Sequence, residues 1–159
     1  YNLNPPQLLV EPGGYLTGNT AIAILKVGTI KQKEKVKKVA LDAGSNMLLR
    51  ATQGWYTYRA VCANRMNDAL KEKVDLVGPI CYEGDVLARN RMLPQLKEGD
   101  LIAFLDVGAY TVVLLNHYNC RISPPVVLLN SKGEENIIRE REKYEDLVSH
   151  DKIPDRLNY

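Results

Sequence analysis

The sequence predicts a single, mostly β domain whose short strands close, or nearly close, into a barrel. Three observations lead there. Short apolar runs rich in β-branched residues recur along the chain. Glycine, proline, asparagine and aspartate punctuate the gaps between them, and helical spacing is confined to two stretches. A length of 159 residues fits one domain, residues 1–159. Six or more short strands with few helices favour a barrel, although two packed sheets would produce the same pattern.

The elements follow in chain order. Leu8-Leu9-Val10 running into Glu11-Pro12-Gly13-Gly14 reads as a strand entering a tight turn. Ala21 to Ile30 and Val36 to Leu41, separated by a lysine-rich stretch, read as a hairpin, and Asp42 to Asn46 as a loop. Tyr56 to Ala63 is a candidate strand with Tyr58, Ala60 and Cys62 on one face. Val74 to Cys81 is another, and Pro79 places it at an edge or a bulge because proline lacks the backbone donor. Pro94 to Asp100 is a turn before a strand, Leu101 to Asp106, buried on both faces. Val126 to Leu129 and Asn136 to Arg139 flank the hairpin signal Ser131-Lys132-Gly133. One helix is predicted to begin near Gly108 and carry Tyr110 to Tyr118. The other, Glu140 to Val148, is a solvated helix with acidic and basic residues at helical spacing.

Composition excludes several functional classes. Hydrophobic residues make up 45% of the chain, enough for a core without staples. The 21 basic and 19 acidic side chains leave a net charge of +2, so no single-sign field points to nucleic acid or an anionic membrane. Cys62, Cys81 and Cys120 form neither a CxxC pair nor a zinc pattern, which fits a reducing, cytoplasmic setting. The apolar runs are too short to span a bilayer. His117 and His150 build no Ser–His–Asp arrangement, and no glycine-rich nucleotide fingerprint occurs.

Chemistry concentrates in four loops. In Glu11-Pro12-Gly13-Gly14 the carboxylate is suited to a cation or a protonated ring nitrogen, or else is an exposed strand exit. Arg50, beyond the Asp42-Ala43-Gly44 turn, offers a guanidinium fork for carboxylate or phosphate, or a surface ion pair. In Gly78-Pro79-Ile80-Cys81-Tyr82-Glu83-Gly84-Asp85 a thiol and two carboxylates crowd one strand end. A cysteine there is either a chemical group of lowered pKa or a small packing residue. Gly108-Ala109-Tyr110-Thr111, read as a helix start, offers free amides and the Tyr110 hydroxyl to an anion, or is a small-residue packing contact.

Taken in order, these segments resemble the C-terminal domain of the fold-type-III pyridoxal-phosphate decarboxylases. The set is Glu11-Pro12-Gly13, Asp42-Ala43-Gly44-Ser45-Asn46 with Arg50, Gly78-Pro79-Ile80-Cys81 with Asp85, Gly99-Asp100, Gly108-Ala109-Tyr110 and Tyr118-Asn119. Pro125 to Leu129 and Ile138 to Leu147 look most like the diaminopimelate branch, and the match spans nearly the whole chain.

The resemblance implies a Greek-key-like β-barrel that serves a longer, two-domain enzyme. The lysine that carries the cofactor would stand in an N-terminal α/β barrel that has no counterpart here. It also implies roles: Glu11 and Gly13 beside the pyridine ring of pyridoxal 5'-phosphate, Tyr110 on its phosphate, and Arg50 on a substrate carboxylate. Glu83 and Tyr56 would contact the amino-acid substrate, and Cys81 would reach across a homodimer interface into the partner's site. The implied reaction is decarboxylation of meso-diaminopimelate to lysine. The chain departs from the family pattern at Gly14, where an arginine is usual, and at Tyr82, where an acidic residue is usual, with Glu83 one place later. A non-catalytic binding homologue, or a decarboxylase of ornithine, a polyamine precursor or a siderophore precursor, stays open beside the main reading.

Overall fold

A computed structural model describes residues 5–33 and 36–157. The first long strand, β1 (Ile22–Lys33), turns back antiparallel as β2 (Val36–Leu41), the hairpin expected from the sequence. Residues 34 and 35, between the two strands in sequence, lie outside the described residues. A single helical turn, α1 (Leu49–Thr52), precedes the three-residue strand β3 (Ala60–Cys62). Then come β4 (Glu72–Val77), β5 (Val86–Leu93) and β6 (Leu101–Leu105). These six strands form one sheet in the order β3-β6-β1-β2-β4-β5. All its pairs are antiparallel except β2 with β4, which run parallel. A parallel pair needs a crossover, and here it is long enough to carry α1 and β3.

The sheet curls until its edges approach. Arg91 on β5 donates to the Tyr58 carbonyl just before β3, at 3.4 Å, so the barrel is nearly but not fully sealed. The alternation of β1 sends Ala23, Leu25 and Val27 inward, where they meet Val39, Leu41, Val74, Leu76, Ile102 and Phe104. β6 buries three consecutive residues, as expected for a strand covered on both faces. Burying a side chain such as Phe104 contributes about 1.5–3 kcal/mol, so this interior dominates stability. A second sheet holds only β7 (Val126–Leu129) and β8 (Glu135–Arg139), the second predicted hairpin. Among the described residues no helix is long and apolar enough to cross a membrane.

Several expectations need correction. Residues 5–12 form no strand, and Leu8, Leu9 and Val10 are exposed. The strand expected over Tyr56 to Ala63 shortens to Ala60–Cys62, although Tyr58 and Cys62 do face the core. β4 lies inside the sheet and stops at Val77, so Pro79 falls beyond the strand rather than at an edge or bulge within it. β5 was not anticipated, because Arg89-Asn90-Arg91 interrupts its apolar pattern.

Both predicted helices shrink as well. No helix starts at Gly108: Tyr110 has φ 57°, and only the short 3₁₀ turns Val112–Leu114 and Tyr118–Cys120 follow. A left-handed residue cannot begin a right-handed helix, and the β-branched Thr111-Val112-Val113 gives the helix little to gain. The C-terminal helix is one turn, α2 (Tyr144–Leu147). Its upstream residue Glu142 is held elsewhere, accepting from the Ser123 amide at 2.7 Å and lying 2.8 Å from His117 Nε2.

Candidate functional site

The strand pairing decides where the four loops go. Ile22 pairs with Leu105, Ala60 with Phe104, Val27 with Leu41, Ala40 with Val77, and Val77 with Val86. The starts of β1, β3 and β5 and the ends of β2, β4 and β6 therefore share one rim of the barrel. Every loop that carries a candidate residue leaves from that rim.

Side chains from two of these loops meet. The Arg50 guanidinium lies 4.8 Å from the ring centre of Tyr56 and 4.9 Å from that of Tyr110. A guanidinium beside two aromatic rings keeps its charge and its N–H donors while it gains from the rings' negative faces. The glycine loop closes over the same place. A Cβ on Gly13 would lie 3.5 Å from the Tyr110 hydroxyl, and one on Gly14 would lie 3.1 Å from the Ala109 Cβ. Gly13 itself has φ 58°, which favours a residue without a side chain. Gly108 fastens that loop further: its amide donates to the Gly18 carbonyl at 2.9 Å, and a methyl group there would overlap the Thr17 carbonyl.

With the Gly108 amide used in this way and no helix beginning there, the expected anion-binding helix start is absent. What Tyr110 offers is the hydroxyl of a half-exposed side chain. Glu11, two residues before Gly13, is exposed and makes no hydrogen bond or ion pair among the described residues.

The remaining loops are tied to this cluster by Asp85, which is 4% exposed. Its two oxygens accept from the Ser45 amide at 2.6 Å and the Ile80 amide at 2.7 Å, joining the loop after β2 to the loop after β4. Side chains on Gly44 or Gly78 would overlap that carboxylate. Asn116 fastens the loop after β6, donating from its amide side chain to the Ser45 carbonyl at 3.0 Å and from its backbone to the Asn46 carbonyl at 3.1 Å.

Above this buried layer Tyr82 covers Gly84, and its hydroxyl accepts from Gln53 Nε2 at 3.3 Å. Its ring stands 6.2 Å from that of Tyr118. Cys81 and Glu83 flank Tyr82 and are exposed. The structure thus gathers Gly13, Arg50, Tyr56 and Tyr110 into one cluster. Cys81 and Glu83 stand on the neighbouring loop, linked to it through Tyr82 and Gln53.

The sequence reading missed Gln53, Asn116 and the fastening role of Asp85. Two glycines on separate loops, Gly44 and Gly78, were the available signal for Asp85, since both leave room for one carboxylate. Nothing local marked Gln53 or Asn116.

Residues 15–108 match the family model described as the pyridoxal-dependent decarboxylase C-terminal sheet domain. The diaminopimelate decarboxylase of Archaeoglobus fulgidus is 43% identical over 152 residues, 96% of this chain and 36% of the relative. That of Methanothermobacter thermautotrophicus is 37% identical over 157 residues, 99% of this chain and again 36% of the relative. The crystal structure of diaminopimelate decarboxylase from M. jannaschii superposes with a TM-score of 0.87 at 36% identity, covering 96% of this chain and 35% of that one. The chain therefore spans about a third of the length of the proteins it matches. By its fold and by its sequence, this chain belongs to the C-terminal sheet-domain family of the pyridoxal-dependent decarboxylases.

Proposed function

We propose that this domain forms one wall of the active site of a pyridoxal-phosphate-dependent amino-acid decarboxylase that converts meso-diaminopimelate to lysine and CO₂. The observation that carries the reading is the convergence of Arg50, Tyr56 and Tyr110 beside the Glu11 loop on one rim. The residues present suit the cofactor. Gly13 leaves open the space in front of the Tyr110 hydroxyl that a Cβ would narrow, and a carboxylate and a phenol donor on adjoining loops match a protonated pyridine and a phosphate. When bound, pyridoxal phosphate supplies the electron sink for the carbanion left by CO₂ loss.

The chain's own groups have separable tasks. Glu11 keeps a ring nitrogen protonated by placing negative charge beside it, and Tyr110 donates to a phosphate oxygen. Arg50, placed against the Tyr56 and Tyr110 rings, presents its edge to a substrate carboxylate, where two parallel hydrogen bonds orient the substrate. Cys81, on an exposed loop, reaches into a partner subunit's site and delivers a proton there, and Glu83 meets the substrate amine. The lysine that anchors the cofactor belongs to an N-terminal α/β barrel of the full protein, which works as a cytoplasmic homodimer.

The test is CO₂ release by the full-length protein from diaminopimelate, lysine, ornithine and carboxylated polyamines. Diaminopimelate is expected to give the highest kcat/KM, and no turnover of any of them would leave only a non-catalytic homologue. A changed substrate has one observation in its favour. The wall formed by Tyr82, Gln53 and Tyr118 is uncharged where it adjoins the cluster, and a preference for ornithine or a polyamine precursor in the same assay would select that reading.

A further inference from the structure

The barrel has one unsealed seam, between β5 and the segment from α1 to β3, and a cavity of about 420 Å³ opens there. Thr52, Tyr56, Thr57 and Gly84 line it together with two arginines, Arg89 and Arg91, and among the described residues no acidic side chain lines it. Neither arginine is well paired. The nearest carboxylate to Arg89 is Asp75, 3.9 Å away, and the Arg89 side chain is 64% exposed. Arg91 spends one donor on the Tyr58 carbonyl at the seam, at 3.4 Å, while its buried Nε has no partner.

Arg89 and Arg91 flank a bulge in β5. Asn90 between them has φ 55°, and its amide donates to Asp75 at 2.8 Å. The register of β4 with β5 shifts opposite that residue. A bulge of this kind re-aims the flanking side chains, and both flanking arginines line the cavity. Two guanidinium groups lining one cavity disfavour each other unless an anion lies between them, and a buried N–H without an acceptor is unfavourable.

We propose that this seam cavity is a binding site for a small molecule bearing a phosphate or carboxylate group, held between Arg89 and Arg91 with the Thr57 hydroxyl as a further donor. Its volume lies within the range of small-molecule sites, about 300–1,000 Å³. Tyr56 forms a wall of this cavity and also stacks on Arg50, so the site adjoins the rim cluster but uses different cations. It is independent of the decarboxylase reading, because its occupancy is measured without turnover.

The experiment is calorimetric titration of the full-length protein with inorganic phosphate and, separately, with malonate, at constant ionic strength set with chloride. Saturable binding of at least one is expected, weakened fivefold or more by Arg89→Gln and by Arg91→Lys, which keeps the charge but loses the planar fork. Arg50→Gln is expected to leave that binding within twofold of wild type. Tighter phosphate binding identifies a phosphate ester as the ligand class, and tighter malonate binding a dicarboxylate. Absence of binding by both anions, affinities unmoved in both the Arg89 and Arg91 variants, or binding lost with Arg50 instead would overturn the proposal.

Discussion

The two ends of the barrel each bury an aspartate, and they use it differently. At the far end Asp100, 1% exposed, accepts from the Lys97 amide at 2.9 Å and from Asn64 Nδ2 at 3.1 Å, with Arg65 3.5 Å away. Arg65 also donates to the Gln95 carbonyl, and Asn64 accepts from the Leu101 amide at 2.9 Å. The principal donors and acceptors of that network are directed at one another. Among the described residues, Asp85 at the candidate rim accepts only from the Ser45 and Ile80 amides and makes no ion pair. Its work is to hold two loops together while Arg50, Tyr56, Tyr82, Tyr110, Cys81 and Glu83 stay at least partly open to solvent. A largely self-paired charge network, with only the Arg65 Nε left without a hydrogen-bond partner among the described residues, marks a structural end. A buried clasp beneath partly exposed functional groups marks an end that presents a surface.

The largest effect is expected at the clasp itself. Gly78→Ala sets a methyl group against both the Asp85 carboxylate and the backbone of Gly44, neither of which is a flexible side-chain end. A loss of about 3 kcal/mol or more is expected from overpacking together with disturbed buried hydrogen bonds. Chemical unfolding of the full-length protein measures it, and a midpoint equal to wild type would mean the two loops are not clasped as described.

Next comes Arg50→Ala, expected to lower kcat/KM for the preferred substrate about 100-fold, or ~2.7 kcal/mol, chiefly through KM, with the unfolding midpoint little changed. An unaltered KM would remove Arg50 from substrate binding. Asp100→Asn is the converse variant, expected to cost about 2 kcal/mol of stability through lost charge-assisted hydrogen bonds while the folded enzyme keeps its kcat and KM. Altered steady-state constants in that variant would break the contrast between the two ends.

Asp100 also makes a pH prediction. Burial pushes its carboxyl upward, but the Lys97 amide, Asn64 and Arg65 outweigh it and hold the group below the usual carboxylate range. A folded pKa below the unfolded value, about 3.9, means the stabilisation is complete above that pH and is lost as pH falls through the folded pKa. Unfolding midpoints taken from neutral pH to pH 3 should fall more steeply for wild type than for Asp100→Asn, and parallel curves would contradict the assignment. Tyr82→Phe is the smallest change. It removes the hydroxyl that Gln53 reaches at 3.3 Å, with an expected cost under about 1 kcal/mol at this exposed position, read from the same unfolding curves and from any shift in substrate preference.

Legibility in the sequence followed the range of the interaction. Both hairpins and the doubly buried β6 were readable because each depends on residues close together in the chain. β5 was not, since Arg89-Asn90-Arg91 looks like loop and becomes strand only because β4 lies beside it. The helix at Gly108 failed for a related reason. The small residues there serve the close approach of the Gly13–Gly18 segment, and Tyr110 adopts a left-handed backbone at that contact.

By itself the sequence determined that this is a β-rich, nearly charge-neutral domain whose polar motifs occur in the order of one decarboxylase family, because composition, period-two patterning and motif order are all properties of a linear chain. Which rim the motifs share, which carboxylate clasps the loops, and the stacking of Arg50 between Tyr56 and Tyr110 were decided only by the tertiary structure. The Arg50–Tyr110 and Ser45–Asp85 contacts join residues separated by strands, and strand order and register bring them together while residue identity does not.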